Sequence, residues 1–327
     1  MRIHIQNHPD DANPKISLEQ WRDAVARAGD WARELEVSLG SNDAEFAAGI
    51  ADAKAMISAG RVVMNLLPAV PAPALELIFV THAGVDSLAK GNYVPTGVKL
   101  LNNSGAHGVK AAEYALMAVL MLANHLPFFG DRQREGVWDR KLASSVAGRR
   151  ATIVGIGAIG GAIAQWLKAF GMHVTGVRTS AEPHPHCDAV VATDDIDSVL
   201  PQTEFLVLVA PLTPRSREIL NRHRIGLLPA HAGVVNIGRG ELVEQEALLD
   251  ALDAGKLAGA VLDVMIPEPI PPGHRLWRTR NLTLTPHMSA GDPLTYMPRS
   301  LDIFLDNLAA YRAGRALPNQ VDLTRGY

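Results

Sequence analysis

The stretch 151–160, ATIVGIGAIG, constrains the fold of this chain more than any other. Residues 151–154 are uncharged and rich in β-branched side chains, the composition of a short buried strand. Gly155, Gly157 and Gly160 then form a G-x-G-x-x-G turn. Ile159, Ile163, Trp166, Leu167 and Phe170 follow at helical spacing, an apolar stripe that would face a sheet. Strand, glycine turn and helix in that order are the context in which this motif binds a dinucleotide. Gly155 permits the tight turn, Gly157 lets backbone approach a pyrophosphate, and Gly160 lets the helix lie close to the strand. The phosphates would sit on the N–H groups of the helix start. A merely structural glycine turn is the competing reading, and the strand and helix on either side weigh against it.

At 327 residues the chain is expected to form two domains. Its 47% hydrophobic and 20% charged residues are ordinary for a globular protein with a sizeable core. A net charge of −3 provides neither a basic stripe for nucleic acid nor a polybasic membrane patch. Cys187 stands alone, which excludes an internal disulfide, fits a reducing compartment and leaves no paired-cysteine metal site; it reads as buried packing. The opening MRIHIQNHPDD lacks the apolar core of a signal peptide, and no run approaches the ~18 apolar residues of a membrane span. These features lead us to expect a cytoplasmic protein without a metal.

Before the glycine turn, strands are expected at 2–5, 36–39, 55–57, 77–80 and 98–101, with a helix over 18–28 opened by Ser17. That pattern suggests βαβ units without a nucleotide fingerprint of their own. A strongly apolar helix is expected over 111–126, ending before Pro127 and buried between domains. A charged arm or linker at 128–150, containing Trp138, would follow. From 151 the strands expected at 173–177, 205–210, 233–237, 258–264 and 281–286, with a helix over 243–254, describe a doubly wound sheet. An amphipathic helix at 299–311 closes the chain.

Ligands of open α/β sheets bind beyond the carboxyl ends of the strands. Three residues fall at such places: Arg239 in NIGRG, Glu268 in DVMIPEP and His287 in TPH. A ketone reduced by hydride needs a proton donor at its oxygen, and histidine is the side chain that titrates near neutrality. A neighbouring carboxylate favours its protonated form, and an arginine can hold a substrate carboxylate through paired hydrogen bonds. Taken singly, each of the three is more often an ordinary loop residue. Their joint position at strand ends is what points to a site.

The blocks GIGAIG, LVLVAPLTPRSREIL, VVNIGRGELVEQEALLDAL, GAVLDVMIPEP and LTPHMSA, in this order and spacing, resemble the D-isomer-specific 2-hydroxyacid dehydrogenases. The AGVD block at 83–86, Ala112 and Glu113 at a helix start, and the closing segment from Asn307 and Leu308 to Val321 and Asp322 extend the resemblance over most of the chain. It implies an α/β protein of two Rossmann-like or flavodoxin-like domains, doubly wound parallel sheets with a cleft between them. The substrate domain would be discontinuous, 1–101 plus 291–327, and the dinucleotide domain would span 102–290. By the same resemblance His287 is the acid/base, Glu268 its carboxylate partner, and Arg239 the substrate-orienting residue. Asp263 would contact the nicotinamide carboxamide, and the backbone of Ala83 and Gly84 would receive the substrate carboxylate. Gly155, Gly157, Ala158, Ile159, Gly160, Pro211 and Ile237 would line the cofactor. Where many relatives have a threonine five residues before the helix glutamate, this chain has Gly108, preceded by His107. Glu268 argues against formate dehydrogenases, which pair their histidine with glutamine.

NAD enzymes of this fold place an acid at the end of the second strand to bind the ribose 2′-hydroxyl. Here the strand ends in Arg178, Thr179 and Ser180. A guanidinium and two hydroxyls suit a 2′-phosphate, so NADP(H) is the expected cofactor, with NAD(H) possible. The expected activity is reduction of a small 2-ketoacid, of the glyoxylate or hydroxypyruvate kind, to the D-2-hydroxyacid. An NAD-dependent enzyme for a bulkier acid and a non-catalytic dinucleotide-sensing protein are the alternatives. Asn7, His8, Trp138, Tyr296 and Met297 are candidates to shape the pocket. An arm carrying Trp138 that, in similar proteins, reaches across a dimer suggests a homodimer.

Overall fold

The computed structural model describes residues 1–8, 15–85, 87, 88, 91 and 93–323; Asp86 of the AGVD block lies outside them. The named strands form two all-parallel sheets, in two compact units. The first unit is Met1–Ala106 with Asp292–Tyr327, the second His107–Gly291.

In the first unit β1 (Arg2–Gln6), β2 (Glu36–Gly40), β3 (Ala55–Ser58), β4 (Leu77–Val80) and β5 (Lys99–Leu101) stand in the order β2-β1-β3-β4-β5. Alternation along the strands sorts apolar residues into two layers. Ile3, Ile5, Ile57, Leu77 and Phe79 pack with Trp21 of α1 (Leu18–Ala28) and with Leu301, Phe304 and Leu308 of α9 (Tyr296–Arg312). Met56, Ile78 and Val80 pack with Phe46 and Ile50 of α2 (Asp43–Ile50) and with Val62 and Val63 of α3 (Gly60–Asn65). Ser17 opens α1 as expected, through a reciprocal capping box with Gln20. The Asn102 N–H donates to Asn319 O (3.0 Å) and Asn103 Nδ2 to Ser300 Oγ (2.7 Å). These bonds tie the chain as far as Ala106 to this unit, past the boundary at 101 expected from sequence.

The second unit has the strand order β12-β11-β10-β9-β6-β7-β8. Its strands are β6 (Arg150–Val154), β7 (His173–Arg178), β8 (Ala189–Ala192), β9 (Phe205–Leu208), β10 (Gly233–Asn236), β11 (Gly259–Leu262) and β12 (Leu282–Leu284). β6 pairs with β7 on one side and β9 on the other, so the direction of winding reverses at β6, directly before the glycine turn. Sheets of this kind bind ligands at that reversal. Four strands are shorter than their apolar runs suggested, because the residues beyond Leu208, Asn236, Leu262 and Leu284 leave the sheet to build loops. The edge strand β8 was not expected from sequence; it is four residues, AVVA, of which Ala189 is exposed and the rest half-buried.

The apolar helix is corrected at both ends. α4 (Gly108–Ala123) stops before His125, whose φ is +57°, and α5 (Leu126–Glu135) follows with Pro127 in its first turn. Proline is tolerated there because the first-turn N–H groups have no intrahelical acceptor. The segment expected as an arm from 128 is therefore helical as far as Glu135. The two helices diverge by 62°, and among the described residues no single helix is long and apolar enough to cross a membrane. α4 packs on α6 (Ala158–Ala169) and against the sheet, where Leu122 covers Gly233 and Gly259. α7 (Arg222–Leu227) and α8 (Gln245–Asp253) complete this unit. Of the stripe on α6, Ile163 and Leu167 are buried, whereas Phe170 sits at the helix end and is 46% exposed.

Candidate active site

At the glycine turn each glycine has its own reason. Gly155 has φ +104°, and a Cβ there would lie 2.6 Å from the Ala210 backbone. A Cβ on Gly160 would lie 2.0 Å from Gly155 O, so the closeness of α6 to β6 depends on its absence. Around Gly157 nothing lies within 4 Å of that point, and no side chain caps α6. Its N-terminus thus presents backbone donors beside open space, which fits a pyrophosphate. Ala158 and Ile159 begin the helix; Pro211 and Ile237 follow the ends of β9 and β10, and Pro211 O accepts from Ser216 Oγ (2.7 Å).

Arg178 is the last residue of β7, half-buried, with Thr179 and Ser180 exposed after it. Glu182 lies 3.5 Å from its guanidinium, a neighbour that the sequence argument had not weighed. Cys187, on the same loop, is half-buried with its thiol pushed up to about 11, chiefly by burial. It is a packing residue, as expected. Among the described residues no His, Cys, Asp and Glu cluster suits a metal ion.

The three charged candidates follow β10, β11 and β12, which are consecutive neighbours in the sheet. His287 Nδ1 donates to Glu268 Oε2 at 2.8 Å, and Glu268 Oε1 accepts the Met265 N–H at 2.9 Å. Both carboxylate oxygens are engaged, and Nε2 is left as the nitrogen with which His287 can exchange a proton with a ligand. His287 has φ +52°, held by its N–H to Asp263 O (2.8 Å). Arg239 is half-buried, with Nη1 on Gly238 O (2.8 Å). A Cβ on Gly238 would meet Leu242 at 2.7 Å, and one on Gly240 would meet the Met265 backbone at 2.7 Å. Gly240 therefore lets the Arg239 loop press against the loop that leads to Glu268, and Gly238 lets it lie against the chain after β9.

Support residues escaped sequence reasoning. Buried Asn236 accepts the Gly238 N–H and donates to Arg239 O (3.1 and 2.9 Å). Gln245 brackets the Ile266 backbone from both sides. Asp263 is wholly buried; its carboxylate accepts from the Thr285 hydroxyl (2.6 Å) and from the N–H groups of Met288 and Ser289 (each 2.9 Å). Since the Thr285 proton is spent on Asp263, the Tyr114 hydroxyl of α4 must be the donor in its 2.6 Å bond to Thr285. Burial, with the Asp263 charge adding to it, raises the Tyr114 pKa. Asp263 thus holds the loop of His287, and with three bonds to roughly four lone-pair sites its carboxylate retains room for one more donor. His107 stands at the N-cap position of α4 without a side-chain cap and donates from Nδ1 to Ala290 O (2.9 Å).

In the first unit the loop after β4 has its carbonyls turned inward. Thr81 O accepts from the Tyr296 hydroxyl, His82 O from Asn103 N (3.1 Å), Ala83 O from Asn102 Nδ2 (3.1 Å) and Gly84 O from His82 Nδ1 (2.7 Å). Neither the Ala83 nor the Gly84 N–H has an acceptor among the described residues. Of the pocket candidates, Asn7 commits its amide to the Ile16 backbone, and Tyr296 and Met297 belong to the core of this unit. His8 is half-buried, and Trp138 is fully exposed.

A parallel sheet with a glycine turn at its reversal, and an arginine and a histidine–carboxylate pair at neighbouring strand ends, defines a dinucleotide-binding oxidoreductase. The family model for the NAD binding domain of D-isomer specific 2-hydroxyacid dehydrogenases matches residues 116–289, and the chain belongs to that family. It is 29% identical to glyoxylate/hydroxypyruvate reductase A of Salmonella paratyphi B, over 96% of this chain and 98% of that one. A crystal structure of a D-isomer specific 2-hydroxyacid dehydrogenase from Xanthobacter autotrophicus Py2, in complex with NADPH and MES, is 27% identical. It covers 99% of each chain with a TM-score of 0.81. A family protein from Aeromonas salmonicida subsp. salmonicida A449 is 28% identical, covering 98% of this chain and 99% of its own, with a TM-score of 0.80.

Proposed function

We propose that this chain is an NADPH-dependent reductase of a small 2-ketoacid, of the glyoxylate or hydroxypyruvate type, producing the D-2-hydroxyacid. The observation that carries the reading is the 2.8 Å bond from His287 to Glu268 at the ends of adjacent strands. When bound, the nicotinamide supplies the hydride that the keto carbon accepts. His287, protonated, delivers the proton to the keto oxygen from Nε2, while Nδ1–H stays on Glu268 throughout. The carboxylate stabilises the imidazolium before transfer and fixes its orientation. Arg239 binds the substrate carboxylate with its guanidinium fork. Asp263 would offer its remaining acceptor site to the nicotinamide carboxamide while holding the His287 loop.

The preference for NADPH rests on Arg178, Thr179 and Ser180 standing where an acid would bind the ribose 2′-hydroxyl. The NADPH complex of the Xanthobacter relative supports it, and the name of the Salmonella relative supports the substrate class. We propose further that the protein works as a homodimer through the segment after α5, where Trp138 is 100% and Leu142 is 78% exposed.

The test is oxidation of NADPH and NADH, run side by side on glyoxylate, hydroxypyruvate, pyruvate and phenylpyruvate. Fast turnover of a small acid with NADPH is the expected result. Turnover with NADH alone would overturn the cofactor assignment, and cofactor binding without turnover of any acid would overturn the enzyme reading.

A further inference from the structure

After β11 the chain leaves the core at Met265, and the stretch 266–269 that carries Glu268 is exposed. Burial therefore does little to fix the loop on which the partner of His287 stands. Its backbone is held from one place. Gln245, the first residue of α8, accepts the Ile266 N–H at Oε1 (2.8 Å) and donates from Nε2 to Ile266 O (2.5 Å). An N–H can only donate and a carbonyl can only accept, so the two partners fix which end of the side-chain amide is which. Among the described residues no other hydrogen bond reaches the backbone of 266–269. The helix behind Gln245 is itself anchored, through buried Ala247, Leu248, Leu249 and Leu252.

The Ile266 N–H belongs to the 265–266 peptide and the Ile266 carbonyl to the 266–267 peptide. Only φ and ψ of Ile266 lie between those two planes, so one amide that grips both groups sets both angles. The proline ring fixes φ of Pro267. What remains before the Glu268 side chain is ψ of Pro267 and φ of Glu268. The bond from the Met265 N–H to Glu268 Oε1 (2.9 Å) closes that stretch into a ring. With Oε1 so held, Oε2 meets His287 Nδ1 at 2.8 Å. A carboxylate only accepts, so this bond places the proton of a neutral His287 ring on Nδ1 and leaves Nε2 for the substrate.

We propose that Gln245 is a positioning residue, which acts through the Ile266 backbone to keep Glu268 on His287. The proposal rests on the acid/base role of that pair given above. Without the two bonds, the segment 266–268 samples several conformations, and the pair is formed in only a fraction of the molecules. Turnover falls with that fraction, because a ketoacid beside an unpaired His287 lacks an oriented proton donor. In the molecules without the pair, a neutral His287 ring is free to carry its proton on Nε2.

Gln245→Met keeps the reach and the helix propensity of glutamine but makes neither bond. Gln245→Ala is measured with it, and Glu268→Ala removes the pair outright. With NADPH and glyoxylate, both Gln245 variants should lose roughly tenfold in turnover number, about the worth of one net hydrogen bond, and Glu268→Ala should lose more. The NADPH dissociation constant should stay close to that of the parent. The second readout needs neither cofactor nor substrate: nitrogen-15 NMR of the His287 ring in alkaline buffer, assigned through His287→Ala. The parent should show the Nδ1–H form, and Gln245→Met a larger share of the Nε2–H form. Parent-like turnover or a parent-like ring in Gln245→Met would overturn the proposal; a lowered thermal midpoint beside them would mean that Gln245 only anchors the start of α8. If Glu268→Ala alone lowers turnover, Gln245 loses its role and the pair keeps its own. If Glu268→Ala also turns over like the parent, the pair carries no chemistry and both readings fall.

Discussion

Adding one methyl at Gly157 or at Gly160 should separate cofactor binding from folding. At Gly160 the new carbon would start 2.0 Å from Gly155 O, and backbone cannot rotate away as a side chain can. Reaching an ordinary 3.4 Å contact requires α6 to retreat from β6 by about 1.4 Å, in a core packed on both sides. Overpacking of this kind costs about 3 kcal/mol at its upper end, and alanine returns about 1 kcal/mol of helix propensity. A net loss of about 2 kcal/mol lowers the melting temperature of a domain of this size by roughly 4–8 °C. Gly157→Ala meets no protein atom within 4 Å, and its φ of −112° with ψ of −153° is open to alanine. Its stability should change by less than about 1 kcal/mol, because the entropy lost by the unfolded chain offsets the poorer cap. Its methyl would occupy the space proposed for the pyrophosphate, so NADPH affinity should fall by roughly tenfold or more. Fluorescence titration with NADPH and thermal unfolding of both variants read the two quantities separately. Parent-like NADPH affinity in Gly157→Ala would refute the placement of the phosphates. An unchanged melting temperature in Gly160→Ala would refute the packing argument.

The remaining predictions concern the charged groups and the arm. His287→Ala should reduce turnover by ~10²-fold or more with NADPH binding intact, in line with the usual worth of a general acid; near-parent turnover in a steady-state assay would remove His287 from the chemistry. Arg178→Asp should weaken NADPH by roughly 10- to 100-fold and NADH far less, since it leaves two carboxylates, the new one and Glu182, facing the 2′-phosphate. Equal losses for both cofactors in titration would end that assignment. Trp138→Ala combined with Leu142→Ser should shift the protein from dimer to monomer in sedimentation, and a parent that already sediments as a monomer would dispose of the dimer.

Legibility in the sequence followed the physical cause of each feature. The glycine turn was readable because only glycine fits Gly155 and Gly160, and an apolar strand and helix had to flank it. Arg239, Glu268 and His287 were readable because each falls just past an apolar run, and two of them meet in the structure. The end of α4 was misread because proline stops a helix interior yet suits a first turn, and distinguishing the two requires knowing that His125 turns the chain. Asn236, Gln245 and His82 were invisible for a different reason. Each hydrogen-bonds mainly backbone, and peptide groups look alike at every position of a sequence, so nothing in the local pattern says which carbonyl a side chain will find. The charged residues of the site are limited in type by the chemistry asked of them. The residues that hold them are limited only by where loops come to lie, and for that reason perturbing Asn236 tests what the structure adds to the sequence more sharply than removing His287.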